Sequence, residues 1–343
     1  LSDKESTPSI WGHRPTQRDV ARLANVAQTV VSAVMRGDRK FVRYSAEAEE
    51  AVRSAAAQLN YRPNAVARSM RERRFRNLGL LISHPASVPY VPGEIYSGIL
   101  SAAAARGNFL SFVHDPSDRK YGVKSIPLSV VESQVDGFIV LHTGTLSSEL
   151  LAELERVQVP YVLLNAERPW NCVGLDDRGA GVLATKHVLA AGYRRPIFIQ
   201  DIGGMRADNM RLSSYREVMQ ESGQEDLVLG VGYPTLEAEV HAKLEADPAI
   251  DALICANDLI ACRAMRVLFA SGRRVGGDCG VIGFNGELLC ELAPVPLSTV
   301  EMPWRAMAEK AVERISQLIE KPGLSVARDP FEGVLRVRQS TQR

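Results

Sequence analysis

Tyr61 to Asn77 reads YRPNAVARSMRERRFRN and carries six arginines against one glutamate. Guanidinium groups at that density suit the phosphates of a polyanion. Val66, Met70 and Phe75 recur among them at roughly helical spacing, so the segment also offers apolar side chains to whatever the arginines hold. A second constellation lies further along. His84, His114 and His142 each directly follow an apolar run. Imidazoles at the ends of neighbouring strands could border one binding cleft, although histidine is also common in loops. A three-histidine metal site has no acidic or cysteine neighbour to complete it. The five cysteines, Cys172, Cys255, Cys262, Cys279 and Cys290, never fall in C-x-x-C and read as buried thiols of a reducing cytoplasm. Neither a G-x-S-x-G elbow nor a Walker loop occurs.

The chain that must position these groups has 343 residues, 45% hydrophobic and 24% charged. That is ordinary for a globular protein of two or three domains. No run of apolar residues is long enough to span a membrane. Residues 1–14, LSDKESTPSIWGHR, lack the apolar core of a signal peptide and read as a disordered arm or remnant. The net charge of +1 hides an asymmetry: residues 1–76 hold 15 basic and 8 acidic residues, hence +7, and the remainder holds 26 and 32, hence −6. A basic head on an acidic body points to a polyanion partner for the head, although a charge run can also be a solvated face.

From Thr16 the pattern turns helical. Thr16 and Asp19 stand at capping-box spacing, and Val20, Leu23 and Ala24 give one apolar side. Asn25 can take the left-handed conformation that ends a helix. A second helix, AQTVVSAVMRG, should close at Gly37. Val30, Val31, Val34 and Met35 are expected to pack inward, with Gln28, Thr29, Ser32, Ala33 and Arg36 on the other side. A third helix begins at Ser45, a good N-cap, buries Ala48, Val52, Ala55 and Leu59, and stops at Asn60. Two short helices and a tight turn make a helix-turn-helix, whose second helix enters the DNA major groove. A three-helix bundle that merely packs on something else would have a similar composition.

The segments D-V-A-R-L-A, T-V-x-S-x-V and Y-R-P-N-A-x-A-R-S follow one another in that order. The stretch that holds them resembles the headpiece of LacI/GalR-type bacterial transcription regulators, and the similarity covers nearly the whole chain after residue 15. The resemblance implies a helix-turn-helix domain over residues 15–60 and a hinge helix over 61–77 that lies in the minor groove of a palindromic operator. The arginines would face phosphate, and Met70, in the place of the family's leucine, would wedge between base steps. DNA contacts are implied for Thr16, Gln28, Thr29, Ser32, Ala33, Arg36, Tyr61, Asn64, Ala67, Arg68 and Met70. Gln28 and Thr29 fill the two positions that the family uses most for base reading. Ala27 stands where serine is usual, Val30 for threonine, Ala33 for a frequent arginine and Arg36 for asparagine. Ala27 forgoes a cap worth about 1 kcal/mol, and the operator sequence does not carry over.

After Asn77 the apolar runs LGLLIS, FLSFV, GFIVL and YVLLN alternate with helical stretches, and a second set reads CVGL, PIFIQ, ALICA and GVIGF. That is a parallel α/β body in two halves. Ligands bind outside the carboxyl ends of such strands. The resemblance implies a periplasmic-binding-protein-like effector domain of two doubly wound subdomains, residues 78–173 with 302–325 and residues 174–301 with 326–343. The chain would cross between them three times. Gly179-Ala-Gly181-x-x-Ala184, with Asp201 twenty residues on, imitates a dinucleotide fingerprint. Asp176 and Asp177 would repel a pyrophosphate there, so close helix packing is the expected reason for the small residues.

Effector contacts are expected from His84, His114 and His142 and, by resemblance, from Asn165, Arg211, Asn257, Asp258, Asn285 and Trp304. Asn165 and Asn285 stand in positions where the family often has aspartate. That exchange brings an acidic or phosphorylated sugar into consideration beside a neutral sugar, which is the first expectation. The chain reads as a homodimeric, cytoplasmic, nucleoid-associated repressor without cofactor or metal and without enzymatic activity. The alternative is a sugar-binding protein without DNA function.

Overall fold

The computed structural model describes residues 15–37, 39, 42–62, 69, 74–82, 91–114, 134–141, 148–202 and 206–343. The chain divides into two compact units, Leu1–Phe75 and Arg76–Arg343.

The first unit holds α1 (Gln17–Leu23), α2 (Gln28–Arg36) and α3 (Ala46–Gln58). Thr16 and Asp19 form a reciprocal capping box at α1, and the Ser45 hydroxyl caps α3 by accepting from Ala48 N. Asn25 turns the chain at φ 52°, and Gly37 ends α2 in the left-handed conformation. The small core joins Val20, Val31, Val34, Val52 and Ala55, with Val30, Met35 and Leu59 at its rim. Tyr61 also belongs to it, with 9% of its surface exposed.

The second unit is two sheets. The first holds β1 (Asn77–Ile82), β2 (Phe109–His114), β3 (Gly137–Leu141), β4 (Tyr161–Leu164), β5 (Cys172–Leu175) and β11 (Asp329–Phe331), in the order β11-β5-β4-β3-β1-β2. All its pairings are parallel. The second holds β6 (Pro196–Asp201), β7 (Leu227–Val231), β8 (Ala252–Cys255), β9 (Gly280–Asn285), β10 (Ser298–Glu301) and β12 (Val334–Arg336), in the order β12-β10-β9-β8-β6-β7. Only β12 runs antiparallel. Helices α4 (Gly93–Ala105), α5 (Ser148–Arg156) and α11 (Trp304–Glu320) accompany the first sheet. The second carries α6 (Asp177–Ala190), α7 (Arg206–Glu221), α8 (Leu236–Ala246), α9 (Asp258–Ala270) and the short α10 (Leu289–Leu292). The central strands are buried on both faces, which is why they read as unbroken apolar runs. No helix of the described residues is long and apolar enough to cross a membrane.

Two sequence expectations are corrected. CVGL does not open the second half, because Leu163, Leu164 and Val173 pair it into the first sheet. The C-terminal share of the first half does not stop at residue 325, because Asp329–Phe331 pairs with β5. Four strands escaped the sequence reading. LVLGV is a half-exposed edge, STVE carries two buried hydroxyls, and β11 and β12 have three residues each.

Candidate DNA-reading face and effector cleft

On α2 the side chains of Gln28, Thr29 and Arg36 are exposed and Ser32 is half-buried. They occupy one side of the helix because Val31 and Val34 hold the other in the core. The helix has no side-chain cap at Ala27 and no acidic residue in its first turn, so its N-terminus carries an uncompensated positive dipole end. Arg36 Nε donates to the Ser32 carbonyl at 2.9 Å. Ala33 departs from the expectation: it is 0% exposed and its methyl cannot touch a base. Tyr61 departs as well, since its ring is part of the three-helix core. Thr16 is exposed, but its hydroxyl donates to Asp19 Oδ2 at 2.7 Å, so its first duty is to cap α1. Asn64, Ala67, Arg68 and Met70, and with them most of the expected hinge helix, lie outside the described residues.

The cleft follows from connectivity. The chain leaves β5 at Leu175 for α6, leaves β10 at Glu301 for α11, and leaves β11 at Phe331 for β12. All three crossings start from the carboxyl ends of strands, so those ends of both sheets turn toward one another. β3, β1 and β2 are neighbours, which places the ends before His84, after Val113 and before His142 side by side. His84 and His142, and the side chain of His114, lie outside the described residues. Asn165 follows β4 with φ 63° and is half-buried.

On the second sheet the expected residues come from adjacent strand ends. Arg211, on α7, is 3% exposed. Its Nη1 donates to the Ala256 carbonyl at 2.7 Å and its Nη2 to Asp177 Oδ1 at 2.9 Å. Its guanidinium carbon stands 4.6 Å from the Phe284 ring centroid. Asn257 caps α9, accepting from Ile260 N at 2.8 Å, and donates to the Tyr233 hydroxyl at 3.0 Å. Asp258 is 0% exposed and accepts from Gly286 N, Glu287 N and the Thr299 hydroxyl at 2.8, 3.0 and 2.7 Å. A group so enclosed holds the strand-end loops together and does not touch a ligand, so the expected contact from Asp258 is corrected. Burial pushes its carboxyl up to about 6, against the donors that pull it down.

Asn285 ends β9 at φ 116°, a conformation that costs a non-glycine residue energy and that clusters at ligand sites. Its Nδ2 donates to Glu287 Oε1 at 3.2 Å. Gly286 follows at φ 76°, and a Cβ there would stand 2.5 Å from Glu301 Cγ, so only glycine fits this turn. The Asn285 carbonyl accepts from Met302 N, and the Met302 carbonyl from Trp304 N. Trp304 is 6% exposed, and its Nε1 finds no hydrogen-bond partner among the described residues.

Sequence reasoning missed Asp177, Phe284 and Thr299. The signal for Asp177 was the pair Asp176-Asp177 at a helix start. One carboxylate caps, accepting from Gly179 N at 2.8 Å, which leaves the next free to turn inward. The small residues of the dinucleotide-like motif are explained by packing: a Cβ on Gly181 would lie 2.1 Å from Ser214 Oγ and 2.7 Å from the Arg211 carbonyl oxygen.

These features define a helix-turn-helix unit joined to a two-lobed α/β unit with a cleft. A family model described as "Bacterial regulatory proteins, lacI family" matches residues 16–64, and one for a periplasmic binding protein-like domain matches residues 185–341. The HTH-type transcriptional regulator CelR of Thermobifida fusca is 31% identical, covering 95% of this chain and 98% of that protein. The ribose operon repressor of Halalkalibacterium halodurans is 29% identical, covering 95% and 97%. Among solved structures, the Lac repressor dimer bound to operator and an anti-inducer shares the fold with TM-score 0.83 at 22% identity, over 96% of this chain and all of that one. A CelR–cellobiose complex gives TM-score 0.68 at 28% identity, over 95% and 100%. The chain belongs to the LacI family of bacterial regulatory proteins. It is a DNA-binding transcription regulator, and its family is not one of enzymes.

Proposed function

We propose that this regulator is a cytoplasmic homodimeric repressor that binds a palindromic operator and is controlled by a neutral sugar in the cleft. The observation that carries the reading is the connectivity, in which all three crossings between the two sheets leave from the carboxyl ends of strands. A ligand in the cleft touches both lobes and so favours one lobe geometry over another. The names of the ribose operon repressor and of the CelR–cellobiose complex support a sugar. On the DNA side, Gln28 and Thr29 read bases and the uncapped start of α2 takes a phosphate. Asn165, Asn285 and Trp304 meet the effector, and Arg211 shapes the wall behind them.

A second copy covers two exposed apolar faces. One is the edge of the first sheet, where Phe112, near Tyr96, is 64% exposed. The other is α10, where Leu292 is 74% exposed beside Leu288. Such patches mark interfaces.

Gel-shift titration on a palindromic operator, with and without a panel of sugars, tests the proposal. Operator binding that one sugar weakens by a coupling free energy of about 1–3 kcal/mol is the expected result. A chain that binds sugar but no operator would be a sugar-binding protein instead.

A further inference from the structure

Arg211 stands in the wall of the second sheet's strand ends, and its charge is answered within the protein. The facing Asp177 side chain is 1% exposed and its Oδ1 stands 2.9 Å from Nη2. Ala256, which takes Nη1, follows the carboxyl end of β8, and Phe284, which lies under the guanidinium, is one residue from the end of β9. Asp177 begins α6 at the first crossing, where the positive end of the helix dipole favours a carboxylate. The pair is shielded from water and salt, so its two charges cancel at short range.

Carboxylates stand nearby. Asp201, at the end of β6, is 7% exposed. Asp258 and the half-buried Glu287 flank the end of β9. A phosphate or carboxylate on a ligand would have to displace Asp177 from a buried ion pair and would then lie beside it. An uncharged polyol meets neither obstacle.

Resting on the reading of this cleft as the effector site, we propose that Asp177 sets the charge class of the effector. By holding Arg211 inside the protein, it makes the cleft accept uncharged polyhydroxy ligands and reject phosphorylated or carboxylated ones. Asp177→Asn should reverse that preference. The amide oxygen can still accept from Arg211 Nη2, while the guanidinium charge becomes available to an anion.

Thermal unfolding of the full chain tests this with neutral hexoses, pentoses and disaccharides, with hexose phosphates and hexuronic acids, and with inorganic phosphate, all at matched ionic strength. The unaltered protein should be stabilised by no anionic member. Stabilisation by a hexose phosphate or a hexuronic acid would overturn the proposal, and this arm needs no variant. Asp177→Asn should bind inorganic phosphate about tenfold or more tightly than the unaltered protein, and Asp177→Asn with Arg211→Gln should lose that gain. A single variant with no gain, or a double variant that keeps it, would also overturn the assignment. A protein that no neutral sugar stabilises, but whose Asp177→Asn form gains phosphate binding, would remove the sugar reading and leave the role of Asp177 standing.

Discussion

Asp258 accepts the Thr299 hydroxyl at 2.7 Å, with both residues fully buried. The bond ties the start of α9 to β10, the strand from which the chain crosses to the first lobe. The other carboxylate oxygen holds Gly286 N and Glu287 N, so one side chain fixes the loop that presents Asn285.

That carboxyl has a signature in pH. Burial raises it from 3.8 to about 6 in the folded protein. A raised folded value means that the proton stabilises the fold. The stabilisation is fully present below about pH 4 and is lost as pH rises through about 6. The loss is on the order of 2–3 kcal/mol by neutral pH. Asp258→Asn keeps an acceptor for the two amides and can donate to Thr299, whose hydroxyl can turn to accept. Urea unfolding of both proteins from acid to neutral pH should show the variant gaining on the unaltered chain as pH rises through about 6. Parallel curves would refute the assignment.

Helix α2 lacks a side-chain cap at Ala27. Ala27→Ser supplies the missing acceptor and should stabilise the first unit by about 1 kcal/mol. Slower amide exchange in the first turn of α2 is the expected readout, and unchanged exchange would show that the serine does not cap.

Gln28 is exposed in that same first turn. Gln28→Ala should relax operator preference at one base position by about 1–3 kcal/mol. Uniform weakening on every operator variant would mark Gln28 as a backbone contact. Ala33, being buried, should behave otherwise. Ala33→Leu should cost the first unit about 1–3 kcal/mol by overpacking, and loss of operator binding should track loss of fold.

Phe112 and Leu292 stand on different lobes with most of their surfaces exposed. Phe112→Asp with Leu292→Asp places charge on both apolar faces and should weaken self-association by about 2 kcal/mol or more. Sedimentation velocity over a dilution series would show it. A dimer as tight as that of the unaltered chain would place the interface elsewhere.

The two helix caps at Thr16 and Ser45 were legible because a cap and its target lie within one turn of chain. The buried strands were legible because a strand covered on both faces leaves a continuous apolar run. Ala33 was misjudged because α2's polar and apolar sides were drawn from spacing alone, and Tyr61 because its contact was carried over by resemblance. A small side chain and a phenol at the margin go to whichever face the third dimension closes. β11 and β12 were invisible because three residues carry no period, and their pairing partners lie more than thirty residues away along the chain.

The amino-acid order by itself determined the helix-turn-helix, the two parallel sheets and the family, since these rest on local caps, periodicities and contiguous motifs. Only the tertiary structure decided which charges meet. Asp176 and Asp177 are adjacent in sequence and identical in chemistry. Yet Asp176 caps its own helix, while Asp177 turns inward to Arg211, thirty-four residues on. Coulomb interactions depend on distance and burial, and neither is written in the chain until helices α6 and α7 pack around Gly181.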